Sequence, residues 1–241
     1  MGGQTRADVL EQIRGGLVVS CQAHTGHPMA GPEFMAAFAR CAQAGGAVGL
    51  RVDGPADVRA VHAASSLPVL GIAKEFGHGA RPFITPDFEH ARSVISAGAA
   101  MVAIEAVPDY RRDPADFPRL CGRVHDELGV PVIADVSTLA EGVAAARAGA
   151  DAVATTLSGY TSASPARDEP DLDLLAALAG VGLPAILEGH VRSAGQVARA
   201  FELGAFAVVV GTAITDPTSI TSWFAAASPA ASAAERPATH G

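Results

Sequence analysis

Short apolar, β-branched runs recur along the chain at intervals that leave room for a loop, a helix and a second loop. They are LVVSCQ (17–22), AVGLRV (47–52), VLGIAK (69–74), AMVAIEA (100–106), VPVIADV (130–136), DAVATT (151–156), PAILEG (184–189) and AVVVG (207–211). Runs so short and so continuously apolar mark strands buried on both faces, as in parallel sheets. The stretches between them, such as PEFMAAFARCAQAGG (32–46), DFEHARSVISAGA (87–99), TLAEGVAAARAGA (138–150) and SAGQVARAFELGA (193–205), space their apolar residues as helices do. The last three close on Gly-Ala ahead of a new apolar run, and that glycine suits a left-handed helix cap. Eight strand–helix units predict an α/β protein, a (β/α)8 TIM barrel folded as a single domain over residues 1–227. An open, doubly wound sheet is the other arrangement, but no GxGxxG follows the first run. From Ser228 to Gly241 the chain is rich in Ala, Ser and Pro without apolar period, and a disordered tail is expected there.

Composition narrows the function. Hydrophobic residues make up 49% of the 241, so a large core can be buried, and aromatics are only 5%. A formal net charge of −8 argues against nucleic-acid binding, which needs a basic surface, though a local pocket can still hold an anion. Cys21, Cys41 and Cys121 are odd in number and show no CxxC spacing, so neither a disulfide framework nor a zinc site is expected. Neither a signal peptide nor a membrane-spanning run is read from the sequence, and a cytoplasmic location is expected. Of 17 Lys and Arg residues 16 are arginine, leaving Lys74 as the only lysine. Arginine cannot deprotonate near neutral pH, whereas lysine can when burial lowers its pKa, so a chain this biased keeps Lys74 where a primary amine is needed. A chance surface lysine is the plainer reading.

In a barrel, catalytic groups gather where strands end at their C-terminal side. Those ends here carry Gln22, Arg51, Lys74, Glu105, Asp135, Thr155 with Thr156, Glu188, and Gly211 with Thr212. Lys74 and Glu188 each close an apolar run, so both are expected at one mouth, as a proton-transfer pair or as an ion pair. The glycine-bearing loops after the seventh and eighth runs, EGHVRSAGQ and GTAIT, stand where this fold usually seats a phosphate on backbone N–H groups.

The motifs GGLVVSCQA, GGAVGLRV, VLGIAKE, FITP, ADVSTLAEG, TTLSGYT, LEGHV and VGTAIT occur in that order. Together they resemble the N-acetylmannosamine-6-phosphate 2-epimerase family of bacterial sialic-acid catabolism, over about Gly15 to Phe224. The resemblance implies a homodimer or other homo-oligomer that interconverts N-acetylmannosamine 6-phosphate and N-acetylglucosamine 6-phosphate without cofactor or metal. It implies Lys74 and Glu188 as catalytic residues, and Gln22, Arg51, Asp135, Thr156, Ser158 and Tyr160 against the sugar. Gly189, His190, Gly211 and Thr212 would hold the phosphate.

The chain departs from that family in places. Asp216 stands where the family has an arginine at the phosphate, with Arg192 and Arg81 as compensating candidates. Glu105 and Val107 replace Asp and Thr after the fourth run, and Arg111 and Arg112 lie in a rearranged basic stretch. A related or unphosphorylated amino sugar is therefore the alternative substrate. A Schiff-base aldolase using Lys74 is the alternative enzyme, and a catalytically silent sugar-binding barrel is the alternative outside catalysis.

Overall fold

The computed structural model describes residues 5–77, 81–109, 111, 113 and 115–229. Its strands are β1 (Leu17–Cys21), β2 (Gly49–Asp53), β3 (Val69–Ile72), β4 (Lys74–Glu75), β5 (Phe83–Ile84), β6 (Met101–Glu105), β7 (Val132–Asp135), β8 (Ala152–Ala154), β9 (Ala185–Leu187) and β10 (Ala207–Val210). Eight of them form a closed parallel barrel in the order β1-β2-β3-β6-β7-β8-β9-β10, with β10 returning to β1. The barrel predicted from eight apolar runs is the fold observed.

One element differs from the sequence reading. The run Val69–Lys74 does not continue as a single strand. Barrel pairing stops at Ile72, Ala73 exchanges bonds with Thr85, and Lys74–Glu75 pairs antiparallel with Phe83–Ile84. Lys74 thus stands on a small hairpin, β4–β5, at the mouth. An unbroken apolar pattern cannot report such a change of partner.

Side chains alternate across each strand. Val18, Ile72, Ala103, Ile133, Ala154, Ile186 and Val209 belong to the cluster that fills the barrel interior, while neighbours such as Val19, Val102, Val132, Val153 and Leu187 pack outward against the helices. Leu10 of the helix Arg6–Glu11, with Ile13 just beyond it, joins the interior cluster from the N-terminal side. Two residues beyond each interior aliphatic come Ser20, Lys74, Glu105, Asp135, Thr156, Glu188 and Gly211. For all but Lys74, which stands on the hairpin, the strand period carries this polar layer onto the apolar one.

Residues 230–241, nearly all of the expected tail, lie outside the described residues, as does Arg112. Among the described residues no helix is long and apolar enough to cross a membrane.

Candidate active site

A cavity of about 720 Å³ opens at the C-terminal side of the barrel, with Gln22, Lys74, Thr156, Glu188, Gly189 and His190 in its wall. Gly211, Thr212, Arg192 and Tyr160 also line it. Groups from five different strands and the loops after them thus share one chamber.

Lys74 is held from three sides. Its Nζ donates to Gln22 Oε1 at 2.6 Å and lies 3.9 Å from Asp53 Oδ2, and its backbone N–H donates to Asp53 Oδ1 at 3.0 Å. Gln22 is oriented in turn by donating from Nε2 to Ser20 Oγ at 2.7 Å. Burial lowers the Lys74 pKa; the Arg51 charge lowers it further, while Asp53 and Glu188 pull the other way without restoring it. The amine is thereby moved toward the range of a general base.

Glu188 stands on the other wall. Arg51 bridges it to Asp135, with Nη1 2.8 Å from Glu188 Oε2 and Nη1 and Nη2 donating to the two Asp135 oxygens at 3.1 and 2.6 Å. Burial outweighs the Arg51 charge and pushes the Glu188 carboxyl up to about 7, with Asp135 adding to the rise. The Thr156 hydroxyl lies 2.7 Å from Asp135 Oδ1 and 3.2 Å from Glu188 Oε2, and its bond to Glu188 works against the rise without cancelling it. Thr155 fixes the backbone at this point, donating to the Glu188 carbonyl at 2.8 Å and accepting its N–H at 3.0 Å.

Other residues singled out from sequence fall elsewhere. Asp135 is fully buried beneath the chamber, committed to Arg51 and Thr156, and does not line the cavity. Ser158 is buried with its hydroxyl on Asp171 Oδ2, the residue that caps the helix Leu172–Gly180. It too is absent from the cavity wall. Glu105 does not reach the chamber either: it accepts Arg81 Nη1 and Nη2 at 2.7 and 3.0 Å and the Ile84 N–H at 3.2 Å. Arg111 donates to the Glu105 carbonyl.

Asp216 lines the chamber, with its carboxylate engaged by neighbouring donors. It caps the helix Pro217–Ala226, accepting the Ser219 N–H and hydroxyl, and these bonds hold its carboxyl below the usual range. Its Oδ1 also meets His27 Nε2 at 3.1 Å. His27 Nδ1 accepts the Met29 N–H, which leaves Nε2 as the nitrogen that donates to Asp216. His24, His27, Asp53, Phe76 and Trp223 line the chamber and were not picked out from sequence. Asp53, two residues beyond Arg51 on one strand, was legible by period; the His27–Asp216 contact, 189 residues apart, was not.

The glycine turns bear on the phosphate seat. Gly189 has φ +101°, and a Cβ on Gly211 would come within 3.2 Å of Ser20 Cβ, so both positions want the absent side chain. His190 follows with φ +58°, its ring stacked on Tyr160 at 5.1 Å. Its pKa is lowered by burial and by Arg192. Arg192, over the Trp223 ring at 5.1 Å, brings a cation to the same wall.

Comparison with known proteins gives these groups a context. Residues 35–229 match the family model described as "Putative N-acetylmannosamine-6-phosphate epimerase". A Cutibacterium acnes protein of the same description, as a 2-epimerase, is 46% identical over 90% of this chain and 95% of its own length. The chain belongs to the N-acetylmannosamine-6-phosphate epimerase family. A Caldanaerobacter subterraneus member is 42% identical over 90% of this chain and 92% of its own. The solved N-acetylmannosamine-6-phosphate 2-epimerase from Clostridium perfringens superposes with a TM-score of 0.86 at 32% identity, covering 95% of this chain and all of that one. A thiamine phosphate pyrophosphorylase from Pyrococcus furiosus, at 12% identity and a TM-score of 0.60, shares the fold alone.

Proposed function

We propose that the protein interconverts N-acetylmannosamine 6-phosphate and N-acetylglucosamine 6-phosphate by removing and returning the proton at C2. The observation that carries this reading is the pairing, in one chamber, of an amine with lowered pKa and a carboxyl with raised pKa. In the open-chain sugar the C1 aldehyde acidifies the C2 hydrogen. Neutral Lys74 takes that proton, leaving an enolate whose oxygen needs a donor. Protonated Glu188 either donates a hydrogen bond to that oxygen while Lys74 returns the proton on the other face of C2, or itself gives its proton to C2 on the opposite face. Gln22 holds the Lys74 amine in place, and Arg51 with Thr156 holds Glu188. The phosphate is seated by the backbone at Gly189, Gly211 and Thr212, with Arg192 as its cation and the Asp216 charge drawn onto its helix cap. Asp135 supports the sugar site through Arg51 without touching the sugar. The protein is further proposed to work in the cytoplasm as a homodimer.

Proton NMR in deuterated water, with N-acetylmannosamine offered phosphorylated and unphosphorylated, tests the reaction and its phosphate dependence together. C2 deuteration is expected with the phosphorylated sugar and not in Lys74→Ala, whose fold should be intact. Exchange that persists in that variant would place the base elsewhere. The lowered Lys74 pKa would equally suit Schiff-base chemistry; a covalent adduct on Lys74 after borohydride treatment with substrate would replace the epimerase reading by an aldolase one.

A further inference from the structure

Lys74 stands just past the last rung that joins β2 to β3. Asp53 and Ile72 are the final paired positions of those strands, and the Gly54 N–H closes onto the Ile72 carbonyl at 2.8 Å. The next two N–H groups, those of Ala73 and Lys74, are received by side-chain oxygens: Thr85 Oγ1 at 3.2 Å and Asp53 Oδ1 at 3.0 Å. Thr85 is fully buried and held at φ +48°, a left-handed conformation that a β-branched residue rarely adopts. Side chains thus grip the segment that carries the base. One of these grips reaches further than the backbone. The second oxygen of Asp53 lies 3.9 Å from the Lys74 amine, so a single carboxylate meets both ends of the residue.

We infer that Asp53 is a positioning residue for the proton transfer: its carboxylate fixes where the Lys74 amine stands and supplies the counter-charge for the ammonium that the amine becomes. This role presupposes the epimerase reading above. Taking the C2 proton places a positive charge on Nζ, and returning the proton removes it. The groups that face the amine are Gln22, Asp53, Arg51, Glu188 and Asp135. Gln22 is neutral, and Arg51 opposes the new charge. Asp135 is committed to Arg51 in a buried pair, and Glu188 is neutral when it acts as the proton donor. That leaves Asp53, on the strand beside the hairpin. Against the burial that lowers the amine's pKa, Asp53 is the strongest of these groups in pulling the other way. Both side chains are about one-quarter exposed, so solvent weakens the attraction without abolishing it.

The test uses two variants checked for folding by circular dichroism. Asp53→Asn keeps a carbonyl oxygen for the Lys74 N–H and drops the charge; Asp53→Ala drops both. Isotopic labelling of lysine alone gives one NMR signal for the carbon beside the amine, because the chain holds one lysine, and its titration is read without substrate. The midpoint should fall by about one pH unit in Asp53→Asn. The limb of the kcat/KM profile that follows Lys74 should move down with it, while the Glu188 limb stays. Because its amine is displaced, Asp53→Ala should turn over roughly tenfold more slowly than Asp53→Asn, with KM nearly unchanged. A Lys74 midpoint that does not move in folded Asp53→Asn overturns the inference. So does a folded Asp53→Ala whose kcat equals that of Asp53→Asn; if Asp53→Ala does not fold, the Asn titration decides alone. Absence of turnover by the wild type would overturn the epimerase reading itself, a result distinct from an active enzyme whose Lys74 titration ignores Asp53.

Discussion

Lys74 and Glu188 each follow an interior isoleucine by two residues, Ile72 and Ile186; the barrel's alternation delivers Glu188 to the mouth, and the hairpin β4–β5 delivers Lys74. Burial then shifts them toward each other: the amine loses its proton more readily and the carboxyl keeps its own. If catalysis needs Glu188 protonated, its ionisation costs rate at alkaline pH. In Glu188→Gln the residual kcat/KM should therefore rise with pH to a plateau rather than fall again, as a pH–rate profile would show. Stability follows with a definite sign. A carboxyl whose folded pKa is about 7, above its unfolded value, supports the fold at low pH and loses that support as pH rises through 7. Glu188→Gln cannot ionise, so its melting temperature should gain on the wild type between pH 5 and pH 8, by at most about 3 kcal/mol in stability. The lone lysine and its strand-end position made Lys74 legible in sequence. Ser158 was misplaced because a hydroxyl in a loop motif does not reveal whether it faces a cavity or, as here, the Asp171 carboxylate.

At the scale of elements, the hairpin β4–β5 is what positions the base. Its return strand pairs Ile84 with Lys74, and Glu105 at the end of β6 binds that strand through Arg81 and the Ile84 N–H. Arg81 also donates to the Tyr160 carbonyl, tying the hairpin to the loop after β8. Glu105 is wholly buried, and burial already raises its pKa against the pull of Arg81. Arg81→Ala would leave that carboxylate in the interior with the Ile84 N–H as a remaining donor. A loss of about 3 kcal/mol in denaturant unfolding is expected, with kcat falling more than KM changes because Lys74 loses its support. None of this was visible in the apolar run 69–74, whose hydrophobic pattern crosses the break at Ala73 without interruption. The pairing of Ala73 with Thr85 is a tertiary choice between two elements, and a local pattern does not encode it.

At the scale of the whole molecule, the barrel was legible because eight buried strands leave a repeated signal that few other folds require. Association leaves no such signal. The helix Pro217–Ala226 buries none of its residues, and Phe224 on it is 76% exposed. If the proposed homodimer forms across this face, sedimentation velocity should show a dimer that Phe224→Glu converts to monomer; a wild-type monomer would refute the proposal.

The single lysine has one more consequence. Its side chain is about one-quarter exposed and lines the chamber. No other side chain in this sequence is an amine. An amine-selective acylating reagent therefore has, the chain's own N-terminus aside, one address, and that address lies where substrate binds. Intact-mass spectrometry of briefly labelled protein would then report occupancy directly, because any molecule seated against Lys74 shields it. The protein carries its own footprinting probe, and ligands could be ranked with it before any turnover assay is available.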